Sequence, residues 1–427
     1  MRKIVIMKKK YIIRKQKLRY IIFLLIILLL DVHFFDIPQL ADKFQAVNRS
    51  HNKFLISAVI VVTYLFFLVK NTTYVKKKND FDFFIMYYLG IVCVTFLGSV
   101  VVYDQSIVAI VRNYYYYVIL LLYFPLKKMN SRENLYDCCL NLIVGVSTVY
   151  SIITIYAKVV YMSTGKMILS TIMLIVTQRN GSLRLQNISG IICIGCVLAF
   201  SLMLKSRKKV IYFICTVLCA IEVIWVSQTR MAELAILVAI CVSLYLFSKT
   251  KSKYLLIAIG TILIFAFSTS ILDFFNSFSV KNADPISAYS TSIRLEAYDY
   301  FFHKIFYNVF FGIGFINSDR YAHIKFGPSG KYVLSDLGYI GIVGVFGALG
   351  IILVCLLFRI FFKLTKKLLS AGMEKKYPEA IALMVYILFS GWSLSFNDMQ
   401  RIIYLPICLV ILNHIDETID NIIYMKD

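Results

Sequence analysis

Five arginines stand in polar breaks between long apolar runs. Arg179 and Arg184 lie in QRNGSLRLQN (178–187). Arg230 closes SQTR (227–230). Arg294 and Arg320 fall in a polar stretch at 272–335 that also carries Lys331. A guanidinium is planar, stays charged and donates two parallel hydrogen bonds, which suits it to phosphate oxygens. Several of them meeting at one place would make an anion site. Groups able to take a proton from an attacking hydroxyl stand close by in sequence: Glu233, one helical turn after Arg230, and Glu296, His303, His323 and Asp336 in or beside the polar stretch. Such a group is needed wherever a hydroxyl acts as nucleophile. The residue types do not choose among them, and each cation taken singly also fits an ordinary solvated loop.

Metal and cofactor chemistry finds little support. Cys193 and Cys196 form a C-x-x-C, but within an apolar run and with no second pair or histidine beside it. The ten cysteines read as small buried hydrophobes. No Gly-rich phosphate loop is present, and the polar breaks hold no Asp-x-Asp or histidine cluster beside the arginines. We expect no metal and no cofactor.

The elements that must position these residues are membrane helices. Hydrophobic residues make up 60% of the 427 and charged residues 16%, and mean hydropathy is +0.76. A soluble domain is nearer half apolar and a quarter charged. A span needs about 20 apolar residues to cross about 30 Å of hydrocarbon. Twelve segments qualify: 20–36, 54–69, 82–102, 107–125, 135–158, 188–204, 210–226, 231–247, 254–271, 337–360, 378–396 and 402–416. The expected fold is an all-α polytopic bundle over 20–416, with a basic N-terminus at 1–19 and a tail at 417–427. The polar stretch 272–335 then becomes one large external loop between the ninth and tenth spans. The apolar segment 160–177 is interrupted by Gly165 and Lys166 and reads as re-entrant or surface-lying.

Charge sets the expected orientation. Lys and Arg excess marks the cytoplasmic side. With the N-terminus inside, 30 of the 46 basic residues face the cytoplasm and 14 the exterior, while Arg112 and Lys158 fall within spans. Both termini are then cytoplasmic. A thirteenth span at 160–177 would put KSRKK (205–209) and KTKSK (249–253) outside, which argues against it. The net charge of +23 fits cytoplasmic loops facing anionic lipid rather than nucleic acid, since no soluble module exists to bind one. Asp31, Arg112, Lys158 and Glu222 are costly inside spans, and each falls near the outer end of its helix. Together they outline a polar vestibule open to the outside. For Lys158 the plainer reading is a side chain that snorkels to the headgroups. Arginines gathered there, at a site bounded by lipid, could hold a pyrophosphate on a lipid carrier.

Four motifs in order resemble the O-antigen polymerase and O-antigen ligase superfamily. RNGSLRLQNISG (179–190) is similar to an Arg-Gly-Asn segment entering a mid-chain span. SQTRMAELAILVAI (227–240) is similar to a Ser-x-Thr-Arg segment opening a later one. STSIRLEAYDYF (290–301) followed by FFGIGF (310–315) is similar to an Arg ahead of a Gly-x-Gly-aromatic turn, and YVLSDLGYIGIVGVFGALG (332–350) to an Asp-x-Gly-x-x-Gly span entry. The resemblance covers about 179–350 by motif and the remainder by topology. Ligase-like members carry a histidine shortly before the acidic-Gly segment. Here Pro328, Ser329 and Gly330 occupy that place and His323 lies further upstream, which favours a polymerase.

The resemblance implies glycosyl transfer at the outer face of a bacterial cytoplasmic membrane. A growing glycan on undecaprenyl pyrophosphate would pass to an incoming lipid-linked repeat unit, for O-antigen, capsule or exopolysaccharide. Arg230 and Arg294 would stabilise the leaving diphosphate, with Glu233, His323 or Asp336 as base. Arg179, Arg184, Arg112, Arg320 and Lys331 would bind substrate. Tyr289, Tyr298 and Tyr321 would stack on sugars or simply pack the loop. A flippase and a chain-length regulator are the implied protein partners. The alternatives are a ligase and a flippase or other transporter. A transporter calls for charges lining the bundle axis and often a duplication, and neither is visible.

Overall fold

The computed structural model describes residues 2–34, 51–69, 79–133, 135–166, 175–179, 182–186, 190–247 and 285–424. The ninth expected span (254–271) and the start of the polar stretch lie outside these residues. The helices are α1 (Arg2–Asp31), α2 (His51–Val69), α3 (Asp80–Tyr103), α4 (Ile107–Tyr114), α5 (Tyr123–Glu133), α6 (Tyr136–Thr164), α7 (Gly190–Lys205), α8 (Lys209–Ile221), α9 (Arg230–Phe247), α10 (Pro285–Tyr307), α11 (Ser318–Lys325), α12 (Gly338–Ser370), α13 (Pro378–Ser390) and α14 (Tyr404–Tyr424). A 3₁₀ segment, Tyr115–Leu122, joins α4 to α5. A π-helix, Glu222–Ser227, follows α8, and a 3₁₀ turn, Leu334–Leu337, precedes α12.

Among the described residues, six helical stretches are long and apolar enough to cross a membrane: Asp80–Tyr103, Ile107–Asn130, Tyr136–Thr164, Lys209–Ser227, Arg230–Phe247 and Leu334–Ser370. Asn52–Phe66, Gly190–Lys205 and Pro378–Ser390 are apolar but shorter. Two departures from the expected all-α bundle concern the site. Ile175–Arg179 (β1) and Ser182–Gln186 (β2) form an antiparallel hairpin in which Arg179 pairs with Ser182 and Thr177 with Arg184. The polar stretch is not plain loop either, since it contains α10 and α11.

Burial follows hydrophobic pattern. In α7 every residue from Ile191 to Leu202 is buried, as expected of a helix apolar all round, so it runs through the centre. Ser147 of α6 meets it closely, with its Oγ 2.8 Å from the Ile191 carbonyl. A Cβ at Gly195 would collide with Ser147. Such small-residue contacts let membrane helices approach. Cys193 and Cys196 are buried packing residues, and no cluster of metal-ligating side chains occurs among the described residues. A second focus is Tyr88, whose ring meets Tyr117, Phe346 and Phe396 edge-on at 6.1 to 6.5 Å.

Charged groups divide between the two ends of the bundle. At one end Lys127 pairs with Asp82 at 2.6 Å, Lys363 with Asp80 at 2.6 Å, Lys367 with Asp416 and Asp420, and Lys205 with Glu379. At the other end Lys53 pairs with the buried Asp31, which also accepts from Tyr404 Oη. This clamp ties the end of α1 to the starts of α2 and α14.

The loop 308–317 plunges into this second end. Gly312 and Gly314 have φ of +59° and +66°. They bring the backbone against a break in α12 at Gly347, itself at φ +59°. Ile313 N donates to Gly344 O at 2.8 Å, Gly314 N to Val345 O at 3.0 Å, and Ala348 N to Val309 O at 2.7 Å. Ser99 Oγ accepts from Phe315 N at 2.7 Å, Gln105 Oε1 from Asn317 N at 2.6 Å, and Tyr114 Oη donates to Ile316 O at 3.0 Å. Irregular backbone at membrane depth persists only where protein satisfies its polar groups. Phe315 closes the seam by stacking on Tyr114, ring centroids 4.4 Å apart.

Candidate active site

The hairpin rests on the junction of α8 and α9. Alternation along β2 buries Leu185 and leaves Arg184 half-buried on the opposite face. Arg184 Nε donates to Ser227 O at 2.7 Å, and Gln228 Nε2 donates to Leu183 O at 3.2 Å. The Ser227 carbonyl lies at the end of the span, where helix carbonyls lack intrahelical partners, and the last turn there is a π-helix, a form that recurs at functional sites. Gln228 then sits at φ +47°, ψ +47°, so the chain turns sharply and α9 begins at Arg230. Lys158 completes the junction. It does not snorkel: it is buried, its Nζ donates to the Trp225 carbonyl, and it lies 4.5 Å from the Trp225 ring centroid.

Arg184 is where the candidate groups meet. Burial lowers the pKa of its guanidinium and the Arg294 cation lowers it further, while Asp336 and Glu233 raise it and Arg230 lowers it. Four charges from α9, α10 and the turn before α12 therefore act on one side chain of the hairpin. Asp336 is held by that 3₁₀ turn, where its N donates to Val333 O at 3.1 Å, and Gly338 at φ +55° follows. A Cβ at Gly338 would strike Gly391 and Trp392, so the turn is pressed against the connection between α13 and α14. Tyr298 is half-buried beside the same pair. Burial raises its pKa, the Arg294 cation lowers it and Asp336 raises it. Three guanidiniums and the amino-terminal end of α9 favour an anion, and Glu233 and Asp336 bring two carboxylates to the same side chain.

Arg112, Arg320, His323 and Tyr321 lie on other helices. Arg179 ends β1. Arg112 is exposed on α4. Arg320 is exposed, donates to Asp104 O at 3.2 Å and covers the Tyr321 ring. Lys331 is exposed and pairs with Tyr289 Oη. His323 is exposed on α11 and accepts from Tyr300 Oη through its carbonyl at 3.1 Å. His303 is exposed beside Asp299. Tyr321 packs, its Oη donating to Tyr103 O at 2.8 Å.

Sequence reasoning missed Asp398 and Arg401. Their guanidinium and carboxylate lie 3.5 Å apart in the connection between α13 and α14. Burial raises the pKa of Asp398, Arg401 and Lys53 lower it, and Asp336 raises it. Both residues sit in a short break between apolar runs, and only their tertiary approach to Asp336 marks them.

A search of curated proteins finds no match to this chain. Residues 215–355 match the family model described as O-antigen ligase, and that segment holds Arg230, Glu233, Arg294 and Asp336. The chain is a helical membrane protein, and over residues 215–355, about a third of its length, it is similar to the O-antigen ligase family.

Proposed function

We propose that this protein polymerises lipid-linked oligosaccharide repeat units at the outer face of the bacterial cytoplasmic membrane. The growing glycan leaves undecaprenyl pyrophosphate and joins the incoming unit, in a bundle of twelve spans with both termini cytoplasmic. A sugar hydroxyl of the acceptor attacks the anomeric carbon of the donor, and the diphosphate departs with the bonding electrons. The observation that carries this reading is the convergence of Arg230, Glu233, Arg294 and Asp336 on Arg184. Charge develops on the leaving diphosphate in the transition state, so fixed cations there act on the rate as well as on binding. Asp336 and Glu233 are the carboxylates placed to take the acceptor's proton.

Members of the matched family are glycosyltransferase-like enzymes, and its description as O-antigen ligase favours a second reading. A ligase would move finished glycan to a different acceptor. Pro328, Ser329 and Gly330 stand shortly before Asp336, where ligase-like members carry a histidine, and this favours the polymerase.

The test is a deletion strain carrying wild type, Arg230→Ala or Arg294→Ala, with lipid-linked glycans resolved by length. A polymerase gives a ladder with wild type, and only single units on the outer leaflet with either variant present at normal level. Full-length polymer from both variants rules the assignment out. Normal-length glycan stranded on carrier lipid in the deletion indicates a ligase, and single units trapped on the inner leaflet indicate a flippase.

A further inference from the structure

Asp336 acts on Arg184 and on Asp398 alike. With its neighbour Ser335 bonded to Ser395 N, it adjoins two polar groups of different character. On one side Arg184, Arg230 and Arg294 outnumber Glu233, so that side is cationic. On the other side the connection between α13 and α14 brings Asn397, Asp398 and Arg401, which together are neutral and offer both donors and acceptors. This connection is built onto the Asp336 turn. Ser395 N donates to Ser335 O at 3.0 Å, and Tyr339 N to Gly391 O at 2.8 Å. Lys53 Nζ reaches Gln400 O at 3.5 Å from the far side.

Two donor atoms in this segment make no hydrogen bond among the described residues, and the one on Arg401 stands in an ion pair with Asp398. Asn397 is 6% exposed. Its Oδ1 accepts from Tyr88 Oη, but its Nδ2 has no partner. Arg401 Nη1 makes no hydrogen bond, although Asp398 lies 3.5 Å away. A buried donor left unsatisfied costs about 1–3 kcal/mol, and native proteins keep few of them. A ligand that brings acceptor oxygens gives such donors a use. A diphosphate is the poorer ligand here, because Arg401 is already paired with Asp398 and the segment offers no net positive charge. A sugar is the right one, because its hydroxyls both donate and accept.

We propose that residues 395–401 form the acceptor subsite, which binds the sugar of the incoming lipid-linked unit through Asn397 and Arg401 and presents its attacking hydroxyl to Asp336. The proposal rests on the transferase reading above. In the step, the acceptor oxygen bonds to the donor's anomeric carbon as that carbon's bond to the diphosphate oxygen breaks. The electron pair leaves on the diphosphate, and the hydroxyl proton passes to the Asp336 carboxylate. Asn397 and Arg401 bind and orient, and neither exchanges a proton.

The experiment uses the full chain in lipid nanodiscs with two separable substrates. The donor is a lipid-linked unit whose own attacking hydroxyl is blocked. The acceptor carries a carbon–phosphorus bond at its reducing end and cannot donate. Asn397→Asp keeps an oxygen for Tyr88 and removes the free donor, and Arg401→Gln removes the guanidinium. Each is expected to raise the acceptor KM about tenfold, as loss of one good hydrogen bond does, with donor KM unchanged. Arg294→Ala should raise donor KM instead. Tyr88→Phe, which loses only the packing-side bond to Asn397, should leave both unchanged. Unchanged acceptor KM in both subsite variants, equal rises in donor and acceptor KM, or a Tyr88→Phe effect as large as that of Asn397→Asp would each overturn the subsite. A wild type that joins no such pair of substrates overturns the transferase reading, and the subsite with it.

Discussion

Burial works against the charge on Arg184, and the Arg294 and Arg230 cations work against it further. An anion that enters among them relieves both terms. Inorganic pyrophosphate should therefore raise the melting temperature of the purified protein, since a ligand bound at 100 times its Kd stabilises by about 2.7 kcal/mol. Arg184→Gln or Arg294→Gln should abolish most of that rise, whereas Arg320→Gln, on the exposed loop, should keep it. Differential scanning fluorimetry in the presence of pyrophosphate and of sulfate reads the difference. Asp398 makes a second residue-scale prediction. Its folded pKa is raised, chiefly by burial, so the neutral carboxyl stabilises the fold fully below the ordinary carboxylate value of 3.8 and the contribution is lost as pH rises through the raised value. Asp398→Asn should flatten the acid-side slope of melting temperature against pH, and an unchanged slope would place that titration elsewhere. The arginines were legible as residues because guanidinium chemistry is local. Asp398 and Arg401 were not, because their meaning lies in which loop faces them. Lys158 misled for the same reason: its partner, the Trp225 carbonyl, comes from the end of another span.

Long apolar runs announced the helices, but not the places where regularity stops. GIVGVFGALGIILV (341–354) reads as uninterrupted span, yet α12 breaks within it at Gly347, because the Gly312–Gly314 turn needs its backbone. The hairpin had a signal that went unused: Asn180-Gly181 between alternating residues is the strongest short-range hairpin pattern. The break has a measurable consequence. A Cβ at Gly347 would lie 2.5 Å from both Gly312 N and Val309 O, and φ there is +59°. Gly347→Ala therefore combines backbone strain of about 1–3 kcal/mol with overpacking of similar size. It should lower both the melting temperature and the amount of protein in the membrane. Gly98→Ala in α3 is the control. Nothing lies within 4 Å of a Cβ there, so the exchange should be neutral or stabilising by up to about 1 kcal/mol. Equal stability of the two variants would mean that the clasp does not hold loop 308–317 in place.

At the scale of the molecule everything proposed depends on which end faces which compartment. The ion-paired end gathers Lys127, Lys205, Lys363 and Lys367, and basic residues concentrate on the cytoplasmic side of membrane proteins. The opposite end gathers the arginine cluster, the Asp31–Lys53 pair and the loop 308–317. Since contacts alone fix these groupings, a single pair of probes orients the whole bundle. Ser329→Cys, on an exposed turn, and Lys208→Cys, on an exposed turn at the other end, should differ in reactivity toward a membrane-impermeant maleimide applied to intact cells. The first should label at once and the second only after permeabilisation. The native cysteines interfere little. Cys93, Cys241 and Cys355 are exposed, but they lie on apolar faces within helices, where hydrocarbon withholds the water a thiolate needs. Labelling of Lys208→Cys alone would turn the bundle over. The cluster around Arg184 would then face the cytoplasm and could not serve a glycan assembled outside the membrane.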